Sequence, residues 1–91
     1  MARKQKTTFE ARFPARDSAT IAALAANVRR IRLDRKLSQD GLASLAGVDQ
    51  TAISLIENAR ANPTVTMIEA IAEALGATVV ELVGPSVSAR K

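Results

Sequence analysis

The chain has 91 residues, a formal net charge of +4, and no cysteine, histidine, tryptophan or tyrosine. Its length suits one small domain with a single core. Without cysteine or histidine there is no disulfide framework, no zinc finger and no thiol or imidazole catalysis, so a small binding module is favoured over an enzyme.

The positive charge points to an anionic partner, but it is unevenly placed. Arg3, Lys4, Lys6, Arg12 and Arg16 against Glu10 give residues 1–16 a net +4, and Arg90 and Lys91 close the chain. Residues 17–89 carry six basic and eight acidic side chains, a net −2. The folded body is therefore expected to be slightly acidic. The longest apolar run, Ile21–Ala26, is too short for a membrane span or a signal core, so a soluble, cytoplasmic chain is expected.

Residues 1–17 show no helical period and contain Pro14, which predicts a basic arm, mobile when free. Phe9 and Phe13, the two aromatic residues, both lie there. They are expected to dock on the domain or on a partner subunit rather than to stack on bases, because two isolated rings make no platform. A domain over 18–84 follows, then a polar tail over 85–91.

In the domain, Asp17 or Ser18 is placed to cap a first helix. Its Leu24, Val28 and Ile31 recur at helical spacing, and the helix is expected to run to about Lys36. Ser38 opens a second helix, Gln39–Ala46, that stops at Gly47. Asp49 caps a third over Gln50–Asn58. After the loop Ala59–Pro63, Thr64 caps a fourth helix through Leu75, which Gly76 ends. A fifth, short segment is expected at about Val79–Val83. No strand-like alternation is seen, so the class is all-α with about five short helices.

The most informative stretch is Gln39-x3-Ala43-x3-Gly47-x5-Ile53. Ala43 is small where two helices cross closely, and Gly47 can take a positive φ for a sharp turn. Ile53 and Ile56 pin one face of the third helix to the core. The opposite face, with Gln50, Thr51, Ser54, Leu55 and then Asn58, is presented outward. A short helix held at its back and polar at its front suits a major groove.

These elements resemble the lambda repressor-like helix-turn-helix domains of phage repressors and bacterial xenobiotic-response-element regulators. The resemblance runs from about Leu24 to Val83. It includes Val28-Arg29-Arg30-Ile31-Arg32, Leu37-Ser38-Gln39, Leu42-Ala43, Ala46-Gly47-Val48, Ile53-Ser54, Ile56-Glu57, Asn62-Pro63 and Ile71-Ala72-Glu73-Ala74-Leu75-Gly76. It implies that Gln39 bonds a phosphate and braces the first residue of the recognition helix. Gln50 and Thr51 then stand where base edges are read, with Leu55 able to make only apolar contact. Ser54, Asn58, Arg60 and Asn62 become phosphate contacts, which fix register without reading sequence. Each has a plainer alternative: a helix-start preference for Gln39, solvated positions for Gln50 and Thr51, a hydrophobic contact with a neighbour for Leu55, a loop cation for Arg60. The resemblance also implies a buried, structural ion pair between Arg32 and Glu57. Arg29, Arg30, Arg35 and Lys36 are expected to be mostly a solvated face.

Three positions depart from the family pattern. Lys36 and Ala59 stand where glycine commonly ends a helix, so these ends are expected to close differently. Gly41 replaces the glutamate of a capping box begun by Ser38, which loses one reciprocal bond.

The resemblance implies a double-stranded DNA partner and a homodimer reading two half-sites about one turn, ~34 Å, apart. Val79, Val80, Leu82 and Val83 are the candidate dimer interface, with closure of the core as the alternative. The basic arm, through Arg3, Lys4 and Lys6, is expected to lie along the duplex backbone. The function implied is a sequence-specific transcriptional regulator. A restriction–modification controller, an antitoxin holding a toxin partner, and a protein-interaction module on the same fold are the alternatives. No cofactor, metal or membrane is called for.

Overall fold

The computed structural model describes residues 17–85, so the arm and the end of the tail lie outside the described residues. Among the described residues five helices follow one another: α1 Ala19–Asp34, α2 Gln39–Ala46, α3 Gln50–Glu57, α4 Val65–Leu75 and α5 Val79–Val83. The described residues contain no strand. Helix α1 ends at Asp34, short of the expected Lys36, and α3 ends at Glu57.

Local chemistry sets four of the five described helix starts; the exception is α3, where Asp49, expected to cap, makes no side-chain cap bond. Ser18, Ser38 and Thr64 each accept a hydrogen bond from the backbone N–H three residues on. Thr78 opens α5 with a full capping box, its side chain taking the Glu81 amide while the Glu81 carboxylate takes the Thr78 amide. That box compensates for a helix of five residues, too short to persist by propensity.

The helix ends share one device. After α1, α2, α3 and α4 a residue adopts a left-handed backbone: Lys36 at φ 60°, Gly47 at 74°, Ala59 at 58° and Gly76 at 70°. In each case the next residue's N–H bonds the carbonyl five positions back: Leu37 to Arg32, Val48 to Ala43, Arg60 to Leu55 and Ala77 to Ala72. The expectation that Lys36 and Ala59 would close differently is therefore corrected. Both accept the conformation that glycine takes freely, at a cost of roughly 1–2 kcal/mol for a residue with a Cβ. Ala59→Gly is accordingly expected to stabilise the fold by about 0.5–1 kcal/mol, once the greater freedom of unfolded glycine is subtracted. Thermal melting should show a rise of a few degrees in Tm.

The core is made of Leu24, Val28 and Ile31 from α1, Leu42 and Ala43 from α2, Ile53 and Ile56 from α3, Ile71, Ala72 and Leu75 from α4, and Leu82 from α5. Helix α1 packs on α3 and α5, α2 packs on α3 and α4, and α4 meets α5. The small Ala43 is 4% exposed, consistent with a tight crossing of α2.

Leu82, Arg35 and Arg30 depart from expectation, and Asn27 adds a buried polar contact. Leu82 is fully buried, so it belongs to the core and has no surface to offer a second subunit. Asn27, on the apolar face of α1, is also fully buried, and its Nδ2 donates to the carbonyls of Leu82 (2.9 Å) and Gly84 (2.9 Å). It ties the end of α5 to α1 by satisfying carbonyls that a short helix leaves open. Arg35 is not merely solvated: its Nε donates to the Leu75 carbonyl at 3.0 Å, closing the end of α4. Arg30 likewise donates through Nη2 to Asn27 Oδ1 at 3.0 Å.

Candidate nucleic-acid interface

Helices α2 and α3 form a helix-turn-helix about Gly47, whose left-handed backbone turns the chain three residues before the α3 start at Gln50. Ile53, Ile56 and Glu57 are the buried positions of α3 and fix which face turns inward. Gln50 and Thr51 are then exposed, Ser54 and Leu55 half-buried, and Asn58 exposed just past the helix. In the following loop Arg60 is half-buried and Asn62 exposed.

A chain of side-chain hydrogen bonds runs from the core to this outer face. Arg32 donates from Nε to Glu57 Oε2 at 2.6 Å and from Nη2 to Glu57 Oε1 at 2.9 Å. Its Nη1 donates to the Leu37 carbonyl at 2.8 Å, so the same guanidinium holds the turn between α1 and α2. The Glu57 side chain has no exposure and that of Arg32 has 9%. The hydrogen bond and charge of Glu57 raise the pKa of Arg32 against the opposing effect of burial. Glu57 Oε1 also accepts from Gln39 Nε2 at 3.1 Å, and Gln39 Oε1 in turn accepts from Gln50 Nε2 at 2.7 Å. Arg32, Glu57, Gln39 and Gln50 thus form one connected series across α1, α3 and α2.

The structure joins Gln39 to Gln50, as the bracing role of Gln39 requires. Asn58 is partly committed: its Nδ2 donates back to the Ser54 carbonyl at 2.8 Å, which leaves Oδ1 and the second Nδ2 N–H for other partners. The bond from Gln39 to Glu57 was not foreseen, since the two residues lie 18 positions apart in sequence. Asn27 did leave a sequence signal: it is a polar residue in register with Leu24, Val28 and Ile31. Of the candidate dimer residues, Val80 is 76% exposed, while Val79 and Val83 are half-buried against the core. Arg3, Lys4, Lys6, Phe9 and Phe13 lie outside the described residues. Among the described residues there is no cluster of side chains fit to hold a metal, and no helix is long and apolar enough to cross a membrane.

Comparison with known proteins gives the same picture. A family model described as helix-turn-helix matches residues 28–82. An HTH-type transcriptional regulator of Sinorhizobium fredii is 38% identical over 60 residues, which is 66% of this chain and 78% of that protein. A hypothetical transcription factor of Neisseria meningitidis is 39% identical over 64 residues, 70% of this chain and 60% of that sequence. The crystal structure of the Neisseria factor superimposes with a TM-score of 0.73 at 34% identity, over 84% of this chain and 91% of that one. The restriction–modification controller C.AhdI of Aeromonas hydrophila superimposes at 0.68 with 29% identity, over 71% of this chain and 98% of that one. The chain belongs to the helix-turn-helix family and is a lambda repressor-like, DNA-binding transcriptional regulator.

Proposed function

We propose that the protein binds a (pseudo)palindromic operator as a homodimer, with α3 in the major groove of each half-site. The observation that carries this reading is the placement of Gln50: exposed at the start of α3, yet held from behind by Gln39. An ordered amide on an outward face is pre-organised for a base edge, so less side-chain freedom is lost on binding. Thr51 and Leu55 stand beside it for apolar or hydroxyl contact. Gln39, Ser54, Asn58, Arg60 and Asn62 surround it as backbone contacts. Val80, the most exposed large apolar residue described, marks the proposed dimer face. The work of such a regulator lies in the bacterial cytoplasm, where the DNA is.

Among regulators, likeness to the Aeromonas controller favours a compact switch for a restriction–modification operon, since this chain spans nearly all of that structure. Nothing comparable favours a toxin partner.

The folded body is acidic, so the arm residues Arg3, Lys4 and Lys6 are proposed to supply backbone attraction. Binding to the protein's own upstream region should be saturable, sequence-dependent and steeply weakened by salt. A variant lacking residues 1–16 should bind more weakly and with a flatter salt slope, while keeping its sequence preference. Equal affinity for unrelated duplexes at every salt concentration would overturn the operator reading.

A further inference from the structure

We infer that Glu57 is a positioning residue for base choice: acting through Gln39, it fixes which end of the Gln50 amide faces DNA. This rests on the proposed entry of α3 into the major groove and adds to it a reason for one base over another. The argument follows the direction of each hydrogen bond. An ionised carboxylate offers acceptors only. Arg32, with three donor atoms engaged on Glu57 and the Leu37 carbonyl, holds that carboxylate in place. The Gln39 amide must therefore turn its Nε2 toward Glu57, which leaves Oε1 on the side of Gln50. Gln50 must then donate to it through Nε2. What remains outward on Gln50 is Oε1 beside the second N–H, an acceptor next to a donor.

That pair matches adenine, whose major-groove edge offers the N6 donor beside the N7 acceptor. Guanine offers two acceptors, N7 and O6, and sets O6 against Gln50 Oε1. An untethered glutamine escapes this conflict by rotating so that both N–H groups face guanine. The tether to Gln39 removes that escape, because one Gln50 N–H is already committed. Discrimination at this base pair is thus set partly by a buried carboxylate that never meets DNA.

The test starts from a duplex selected out of a randomised pool by the unmodified protein, with the Gln50 position identified as the base pair whose preference Gln50→Ala alters. Affinities are then measured with adenine or guanine at that pair. The unmodified protein should prefer adenine by about 5–100-fold. In Gln39→Met, which leaves the Arg32–Glu57 pair intact, the preference should fall to within about threefold. Loss of a Gln39 phosphate contact weakens both duplexes alike and leaves the ratio unmoved. Glu57→Gln, checked for folding by circular dichroism, should lose the preference in the same way, because a glutamine there can meet Gln39 with either end of its amide. A measurement that needs no variant covers Glu57 if that substitution fails to fold. In NMR of the free protein, a Gln39 side-chain amide proton should exchange with solvent measurably more slowly than those of an unfolded control peptide.

Retained preference in Gln39→Met, or in folded Glu57→Gln, overturns the relay while leaving DNA reading intact. Unprotected Gln39 amide protons also overturn it. Failure of the unmodified protein to select any sequence overturns the operator reading and the relay together.

Discussion

Replacing Arg32 with methionine is expected to cost about 3–5 kcal/mol of folding free energy, enough to unfold much of a domain this small. The loss comes from what is left behind. The Glu57 side chain is wholly shielded from water, and Arg32 bonds both of its carboxylate oxygens. Without it, a carboxylate sits in the interior facing the neutral Gln39 amide as its donor. The same change frees the Leu37 carbonyl and loosens the turn that holds Lys36 at positive φ. Urea denaturation should show a lower midpoint with a nearly unchanged slope. The pair does not weaken through Arg32 in ordinary buffers. A cation whose pKa is raised in the folded state contributes fully below its unfolded value, and that contribution is lost only as pH rises through the still higher folded value.

Adding Glu57→Leu to Arg32→Met removes the stranded charge and should restore most of the lost stability. The double variant also has no acceptor to orient Gln39. Its fold should return while its adenine preference does not, which separates the structural role of the pair from its role in positioning Gln50.

Leu82→Ala is expected to destabilise the domain by about 2–5 kcal/mol, the range for emptying a well-packed leucine site. Leu82 is fully buried and is the one buried residue of α5, which is otherwise held by the half-buried Val79 and Val83, the Thr78 capping box and the two bonds from Asn27. Circular dichroism melting and urea titration at equal concentration will measure the loss. The neighbour Val80 provides the contrast. At 76% exposure, Val80→Glu should change the stability of the isolated chain by no more than about 0.5 kcal/mol. In the proposed dimer the same glutamate would be buried without a partner, so the dimer Kd should rise at least about tenfold. Sedimentation equilibrium over a concentration series distinguishes the two. A monomeric mass for the unmodified protein at tens of micromolar would remove the dimer proposal.

Three of the helix starts and two of the helix ends were legible in the sequence because they depend on neighbours three or four residues away. Ser18, Ser38 and Thr64 cap as their positions predict, and Gly47 and Gly76 turn where glycine is expected. The same holds for the third helix: Ile53 and Ile56 declare its inner face, so Gln50 and Thr51 fall on the outer one. These are local rules of backbone and periodicity, and the sequence states them directly.

The rest was decided beyond the residue types themselves, most of it by tertiary structure. Lys36 and Ala59 carry no local preference for a left-handed backbone; their helix ends impose it through bonds five residues back, and Arg32 adds its bond to Leu37. Four apolar residues in a five-residue helix cannot reveal which one the core will take, since that depends on how α5 lies against α1 and α4. The structure gives Leu82 to the core and leaves Val80 outside. Likewise, a slightly acidic body did not announce how it orders the outward amide of Gln50. Glu57 reaches Gln50 only because α1, α2 and α3 bring Arg32, Gln39 and Glu57 together, and hydrogen-bond direction is set by three-dimensional proximity, not by spacing along the chain.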